Sequence, residues 1–141
     1  MNIGILINSL SSSQKSYELL RKAPDNKIPT IVFYQNLAFP CLPLRVPIMQ
    51  ANEAYGFNGP IIATCLSTAE QLISLPTNYS KIFYVWDLEW TFQQYHSQYL
   101  YNIFRYPSLK IVSRCDDHAD MISKVFNVDV EVIHDFNLSE F

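Results

Sequence analysis

Short apolar runs recur along this chain and never lengthen. They fall at Ile3–Ile7, Thr30–Gln35, Ile61–Leu66, Ile82–Trp86, Leu109–Val112 and Val130–Ile133, each four to six residues long. Several are nearly continuous in Ile, Val and aromatic residues, as expected of strands buried on both faces of a parallel sheet. Between them lie segments with helix starts and apolar helical faces. Ser11, Ser12 or Ser13 can cap a helix reaching about Lys22, with Tyr17, Leu19 and Leu20 on its apolar side. Ser67 or Thr68 can cap a second, through Leu75, with Glu70 spaced as in a capping box. Thr91 opens a third, carrying Tyr95, Tyr99, Ile103 and Phe104 towards Arg105. Asp116 or Asp117 opens a fourth, through Phe126, with Ala119, Ile122, Val125 and Phe126 facing inward. Strand–helix alternation of this kind predicts right-handed crossovers. The expected fold is α/β: one Rossmann-like domain over residues 1–141, with a mostly parallel sheet of about six to seven strands and helices on both faces.

Residues 36–60 break the pattern. Pro40, Pro43, Pro47 and Pro60, together with the earlier Pro29, exclude long regular elements there. Arg45–Met49 fits a short edge strand, where proline is tolerated, and Gln50–Tyr55 a helical turn ending at Gly56. Connections this long in a compact domain are commonly functional.

Composition narrows the function classes. Of the 141 residues, 49% are apolar and 16% charged, enough apolar mass to fill a core and to exclude wholesale disorder. The net charge is −3 and no basic run is present, so a nucleic-acid partner is not expected. So few charges on so apolar a chain suggest that a partner chain or a second copy covers part of the surface. Cys41, Cys65 and Cys115 are odd in number and lack C-x-x-C spacing, which argues against disulfides and zinc and for thiols in a reducing, cytoplasmic setting. Met1–Ile7 lacks the basic flank of a signal peptide, and no run approaches the ~18 apolar residues of a membrane span. There is neither a G-x-G-x-x-G nor a P-loop pattern, so no cofactor is expected.

Ligands of parallel sheets lie beyond the carboxyl ends of the strands. Four strand ends carry chemistry. Asn8–Ser13 offers Ser9 and Ser11 hydroxyls at a helix start, suited to a phosphate or to simple capping. Cys65-Leu66-Ser67-Thr68 offers a cap or a ligand hydroxyl, without a basic neighbour in sequence to activate the thiol. Trp86-Asp87-Leu88-Glu89-Trp90 is the most distinctive. Its indoles can serve as platforms for a sugar or base, its carboxylates can accept from hydroxyls, and Asp87 is the candidate general base. The alternative is that the indoles fill the core and the carboxylates sit at a helix N-terminus. Ser113-Arg114-Cys115-Asp116-Asp117-His118 offers Arg114 for a phosphate or carboxylate and His118 for proton transfer. Asp116, Asp117, His118 and Asp120 superficially resemble metal ligands, but capping accounts for the aspartates and no metal is expected. His96 falls inside the third helix, and His134-Asp135 can face the cleft.

The last third resembles the end of the N-terminal domain of GT-B glycosyltransferases, GT4-like in pattern. Leu109–Arg114 is similar to their strand ending in serine, Met121–Val128 to the helix and turn that follow, and Val130–Phe141 to the closing strand and linker of the form V-I-x-N-G-V-D-x-x-x-F. Ile82–Asp87 sits where the family has a strand ending in a substrate-facing polar residue. The chain departs from the family in having no glycine-rich turn after the first strand, and Asp135-Phe136 where the linker has Asn-Gly. The resemblance implies an acceptor-side half-domain. Ser9, Ser11, Asp87, Glu89, Trp90, Ser113 and Arg114 would then face a sugar-containing acceptor or an interface. The family's E-x7-E segment belongs to a second Rossmann-like domain, so transfer would need a separate chain or a homo-oligomeric partner, and the isolated chain would be inactive. Two other readings stay open: a non-catalytic interaction module, and a flavodoxin-like domain for a small ligand or nucleotide.

Overall fold

Among the residues described by the computed structural model (2–10, 20–21, 28–37 and 45–141), seven strands form one sheet. They are β1 Ile3–Leu10, β2 Thr30–Leu37, β3 Ile48–Gln50, β4 Ile61–Ala63, β5 Lys81–Val85, β6 Leu109–Ser113 and β7 Val130–Val132. Their order is β3-β2-β1-β4-β5-β6-β7, and every neighbouring pair is parallel. The chain is thus α/β with a Rossmann-like sheet. The apolar runs form its centre: Ile5, Leu6, Ile7, Ile61, Ile62 and Ala63 are completely buried.

Side-chain alternation divides that core between two faces. Leu6, Phe83, Val85 and Ile111 point to one face, beneath α1 (Leu66–Ser74), α2 (Ser97–Phe104) and α3 (Asp116–Phe126). Ile5, Ile7, Ile82, Tyr84 and Val112 point to the other, beneath Leu20, Phe136 and Leu138. This division follows from crossover handedness. The steps β4→β5→β6→β7 all run in one direction across the sheet, so right-handed connections put their helices on one face. The step β1→β2 runs the opposite way and sends its connection to the other face, where helical Leu20 packs. The rest of the helix expected from Ser11–Ser13 to Lys22 lies outside the described residues.

Several element boundaries differ from expectation for identifiable reasons. β1 runs on to Leu10, because Ser9 and Leu10 pair in register with Asn36 and Leu37 of β2, so the polar Asn8–Ser13 stretch is not all turn. β4 stops at Ala63, and the Thr64 hydroxyl donates to the Leu6 carbonyl at 2.9 Å, tying its end to β1. The cap of α1 is Cys65. Thr68 completes the capping box by accepting from the Cys65 N–H at 3.1 Å, in place of Glu70. At the other end of α1, buried Lys81 donates to the Ile73 and Leu75 carbonyls at 3.0 and 2.8 Å, satisfying acceptors the helix leaves open.

The Thr91 start is corrected in the same way. Glu89–Thr91 is a single 3-10 turn, and α2 begins at Ser97, where His96 is the cap and accepts from the Gln98 N–H through Nδ1 at 3.3 Å. Cys115 occupies the cap position of α3, and Asp116 and Asp117 sit in its first turn, favoured there by the helix dipole. Val125 is exposed, not inward-facing. α3 ends on Asn127 in the left-handed region, a common helix stop.

The expected linker at the C-terminus is instead packed structure. His134–Phe136 and Leu138–Glu140 form two 3-10 turns that bury Phe136 and Leu138. Phe136 and Phe141 lie 5.0 and 5.8 Å from the Tyr84 ring, whose hydroxyl donates to the Ile133 carbonyl at 2.8 Å. Burial pushes the Tyr84 phenol up to about 12. No helix among the described residues is long and apolar enough to cross a membrane.

Candidate functional site

The carboxyl ends of β5 and β6 bring together the two richest motifs in the sequence. Trp86 follows Tyr84 by two residues and Arg114 follows Val112 by two, so both leave the sheet on the face covered by the C-terminal turns. The Arg114 guanidinium lies over the Trp86 ring, 4.3 Å from its centroid. Trp86 in turn stacks on Tyr84 at 6.5 Å, which fixes the platform. Arg114 Nη2 approaches Asp87 Oδ1 at 4.0 Å, joining the last residues of the two strand ends in a loose ion pair.

Trp86, Arg114, Cys115, His134 and Asp135 line a pocket of about 400 Å³. Its far wall is the 3-10 turn of the tail, where Asp135 and Phe136 both adopt left-handed backbone, with φ of 56° and 53°. Non-glycine residues in this region cost roughly 1–3 kcal/mol each. Complete burial of the Phe136 ring, worth roughly 1.5–3 kcal/mol, helps to hold the turn against that strain. Two polar atoms are buried without a hydrogen-bond partner among the described residues, Trp86 Nε1 and His118 Nδ1. Burial holds His118 below the usual imidazole range and the Arg114 charge adds to this, while Asp87 and Asp117 act against it. His118 therefore titrates in the field of the Asp87–Arg114 pair.

Glu89 turns the other way. Its Oε2 accepts from the Leu66 N–H at 2.8 Å, capping α1 from a distant segment. Burial raises its carboxyl above the ordinary range, the Leu66 hydrogen bond opposes this, and the Asp87 charge adds to it. The sequence reading of a carboxylate at a helix N-terminus is thus correct for Glu89, at a helix it does not itself precede. Trp90 packs edge-on to Phe104 and Phe126 at 5.2 and 5.3 Å, sealing the helix-covered core. The two indoles thus differ in place: Trp86 borders the pocket beneath Arg114, and Trp90 packs against the core.

The remaining candidates are separated. Ser113 is completely buried; its hydroxyl donates to the Cys115 carbonyl at 2.8 Å and accepts from the Cys115 N–H at 3.3 Å. It shapes the turn that presents Arg114 and is not open to a ligand. Ser9 is half-buried at the end of β1, with β4 between it and β5, and its N–H donates to Asn8 Oδ1 at 2.9 Å. Ser11 lies outside the described residues. Among those residues, no three His, Cys, Asp or Glu side chains gather in a way that could hold a metal.

A second polar group joins the Cys65–Thr68 strand end to Gln35 and Gln71, two residues that no sequence motif marks. Gln35 donates to Gln71 at 2.8 Å and accepts from the Ser67 hydroxyl at 3.2 Å, with the Cys65 thiol 3.3 Å from Ser67. It lies between the carboxyl ends of β2 and β4, flanking β1, where the order of strand addition reverses and Rossmann-like sheets open a crevice. Nothing local links Gln35 to Gln71; only sheet order does. The Trp86–Arg114 stack, by contrast, was accessible from strand parity once β5 and β6 are taken as neighbours.

No protein-family model matches this sequence, and no curated protein or solved structure matches the chain.

Proposed function

We propose that the carboxyl edge of β5 and β6 binds a sugar-containing acceptor, and that the chain serves as the acceptor-side half of a glycosyltransferase of GT-B type. One observation carries the reading: Arg114, stacked on Trp86 and directed towards Asp87, stands over a pocket of about 400 Å³ at the ligand-binding edge of a parallel sheet. The guanidinium supplies directed donors and the carboxylates supply acceptors for a hydroxyl-rich ligand. The resemblance of residues 60–141 to the acceptor-side domain supplies the sugar. Donor binding is not assigned to any residue of this chain, so transfer requires a second Rossmann-like domain. Asp87 is the group placed to accept a proton from an acceptor hydroxyl.

Saturation-transfer NMR against a panel of neutral and charged mono- and disaccharides tests the binding claim. At least one sugar should give transfer that Asp87→Asn reduces tenfold or more in affinity. The melting temperature of that variant should fall by only a few degrees, because asparagine keeps the size of the side chain and one acceptor oxygen. Absence of transfer across the panel, or full binding by Asp87→Asn, would sink the proposal.

A further inference from the structure

We infer that the ligand of the Trp86–Arg114 pocket is an acidic saccharide, held through its carboxylate by the Arg114 guanidinium while its hydroxyls donate to Asp87 and Asp135. The inference rests on the acceptor-site reading and adds the charge of the ligand to it.

The guanidinium is held where it can receive an anion. Its position over the Trp86 ring, 4.3 Å from the centroid, restrains the group and leaves its N–H donors as the functional surface. Its ion pair with Asp87 is 4.0 Å long, well beyond the ~2.7–2.9 Å of a charge-assisted hydrogen bond. Among the described residues no hydrogen bond from the guanidinium to the protein is formed. About a third of the side chain remains exposed, so the fork is oriented, reachable and not consumed by the fold.

The surroundings select among anions. Asp87 lies beside the fork, Asp135 lines the pocket, and Asp116 and Asp117 stand in the first turn of α3 immediately beyond Cys115. A phosphate monoester, carrying close to two negative charges at neutral pH, is repelled by all four. A carboxylate carries one charge and matches the planar fork with two parallel hydrogen bonds. The same aspartates accept from hydroxyls, which a simple carboxylic acid lacks and a sugar acid supplies. The pocket falls within the size range of small-ligand sites, towards its lower end, which suits one sugar residue.

Titration of the 15N-labelled chain with glucuronate, glucose, glucose 6-phosphate and acetate tests the inference, followed at the Arg Nε–H and Trp indole N–H resonances. Glucuronate should shift the Arg114 and Trp86 signals and bind at least tenfold more tightly than each of the other three. Arg114→Gln should abolish that preference. Arg114→Lys, which keeps the charge without the fork, should lose most of it; either variant suffices if the other fails to fold. Equal binding of glucose and glucuronate, unaffected by both variants, would overturn the charge assignment and leave the acceptor-site reading standing. Tighter binding of glucose 6-phosphate, or acetate matching glucuronate, would also overturn the acidic-sugar assignment. No response to any saccharide would overturn both.

Discussion

Glu89 shows how one side chain can serve structure at a cost that pH reveals. Its carboxylate satisfies the first N–H of α1 from a loop 23 positions away, and burial raises its pKa in doing so. A carboxyl whose folded pKa is raised binds its proton more tightly in the native state. Its contribution to stability is therefore fully present below the unfolded value near 4.5 and is lost as pH rises through the raised folded value. Glu89→Gln keeps an oxygen acceptor without the buried charge. Urea denaturation should find it close to wild type at pH 4 and more stable at pH 7. Glu89→Ala leaves the Leu66 N–H without that acceptor and should be about 1 kcal/mol less stable than the glutamine variant at pH 7. If wild type gains on Glu89→Gln as pH rises, the hydrogen bond outweighs desolvation and the assignment of the shift is wrong.

At the scale of elements, the C-terminal turns matter most, because they are both cover and wall. Phe136 and Leu138 close one face of the sheet, while His134 and Asp135 line the pocket. Phe136→Ala should remove the anchor of a strained turn and lower stability by about 3–5 kcal/mol, the usual cost of deleting a buried phenyl ring. Asp135→Gly should relieve the left-handed backbone at 56° and raise stability by about 0.5–1 kcal/mol. Guanidinium denaturation of both variants decides this; destabilisation by glycine would mean that the Asp135 side chain holds the turn more firmly than its backbone strains it. The helix starts follow a common plan. Cys65 and Cys115 both occupy cap positions in extended backbone, and the hydroxyls of Thr68 and Ser113 satisfy the neighbouring N–H groups.

Across the whole molecule, burial is greatest at β1, β4 and β5 and thins at the edges, where Ile48 and Met49 of β3 are exposed and Val130 and Val132 of β7 are only half-buried. Native-state hydrogen exchange should follow that gradient. Amides of Ile5–Ile7, Ile62–Ala63 and Phe83–Val85 should exchange slowest, at or near the global opening free energy, and those of β3 and β7 at least tenfold faster. Uniform protection across all seven described strands would show that the edges are braced by something beyond their own pairing.

The near-continuous runs Ile3–Ile7, Ile61–Leu66 and Ile82–Trp86 pointed by themselves to a parallel sheet, because such a run without polar alternation is best satisfied by burial on both faces. The apolar runs also placed Trp86, Asp87 and Arg114 at the ends of β5 and β6, since these residues close or follow those runs. What the sequence left open was settled by distance in space. The cap of α1 was obscured because its carboxylate comes from Glu89 in another loop, and the cap of α2 because His96 can serve as a cap as readily as ride on a helix. The tail resembled a linker because isolated Phe136, Leu138 and Phe141 show no periodicity; they acquire a partner only when Tyr84 and its neighbouring strands present a bare face. Local patterns encode which residues must be buried, whereas the tertiary structure decides which surfaces bury them, and so it alone joined Arg114 to Trp86 and closed the pocket with the chain's own end.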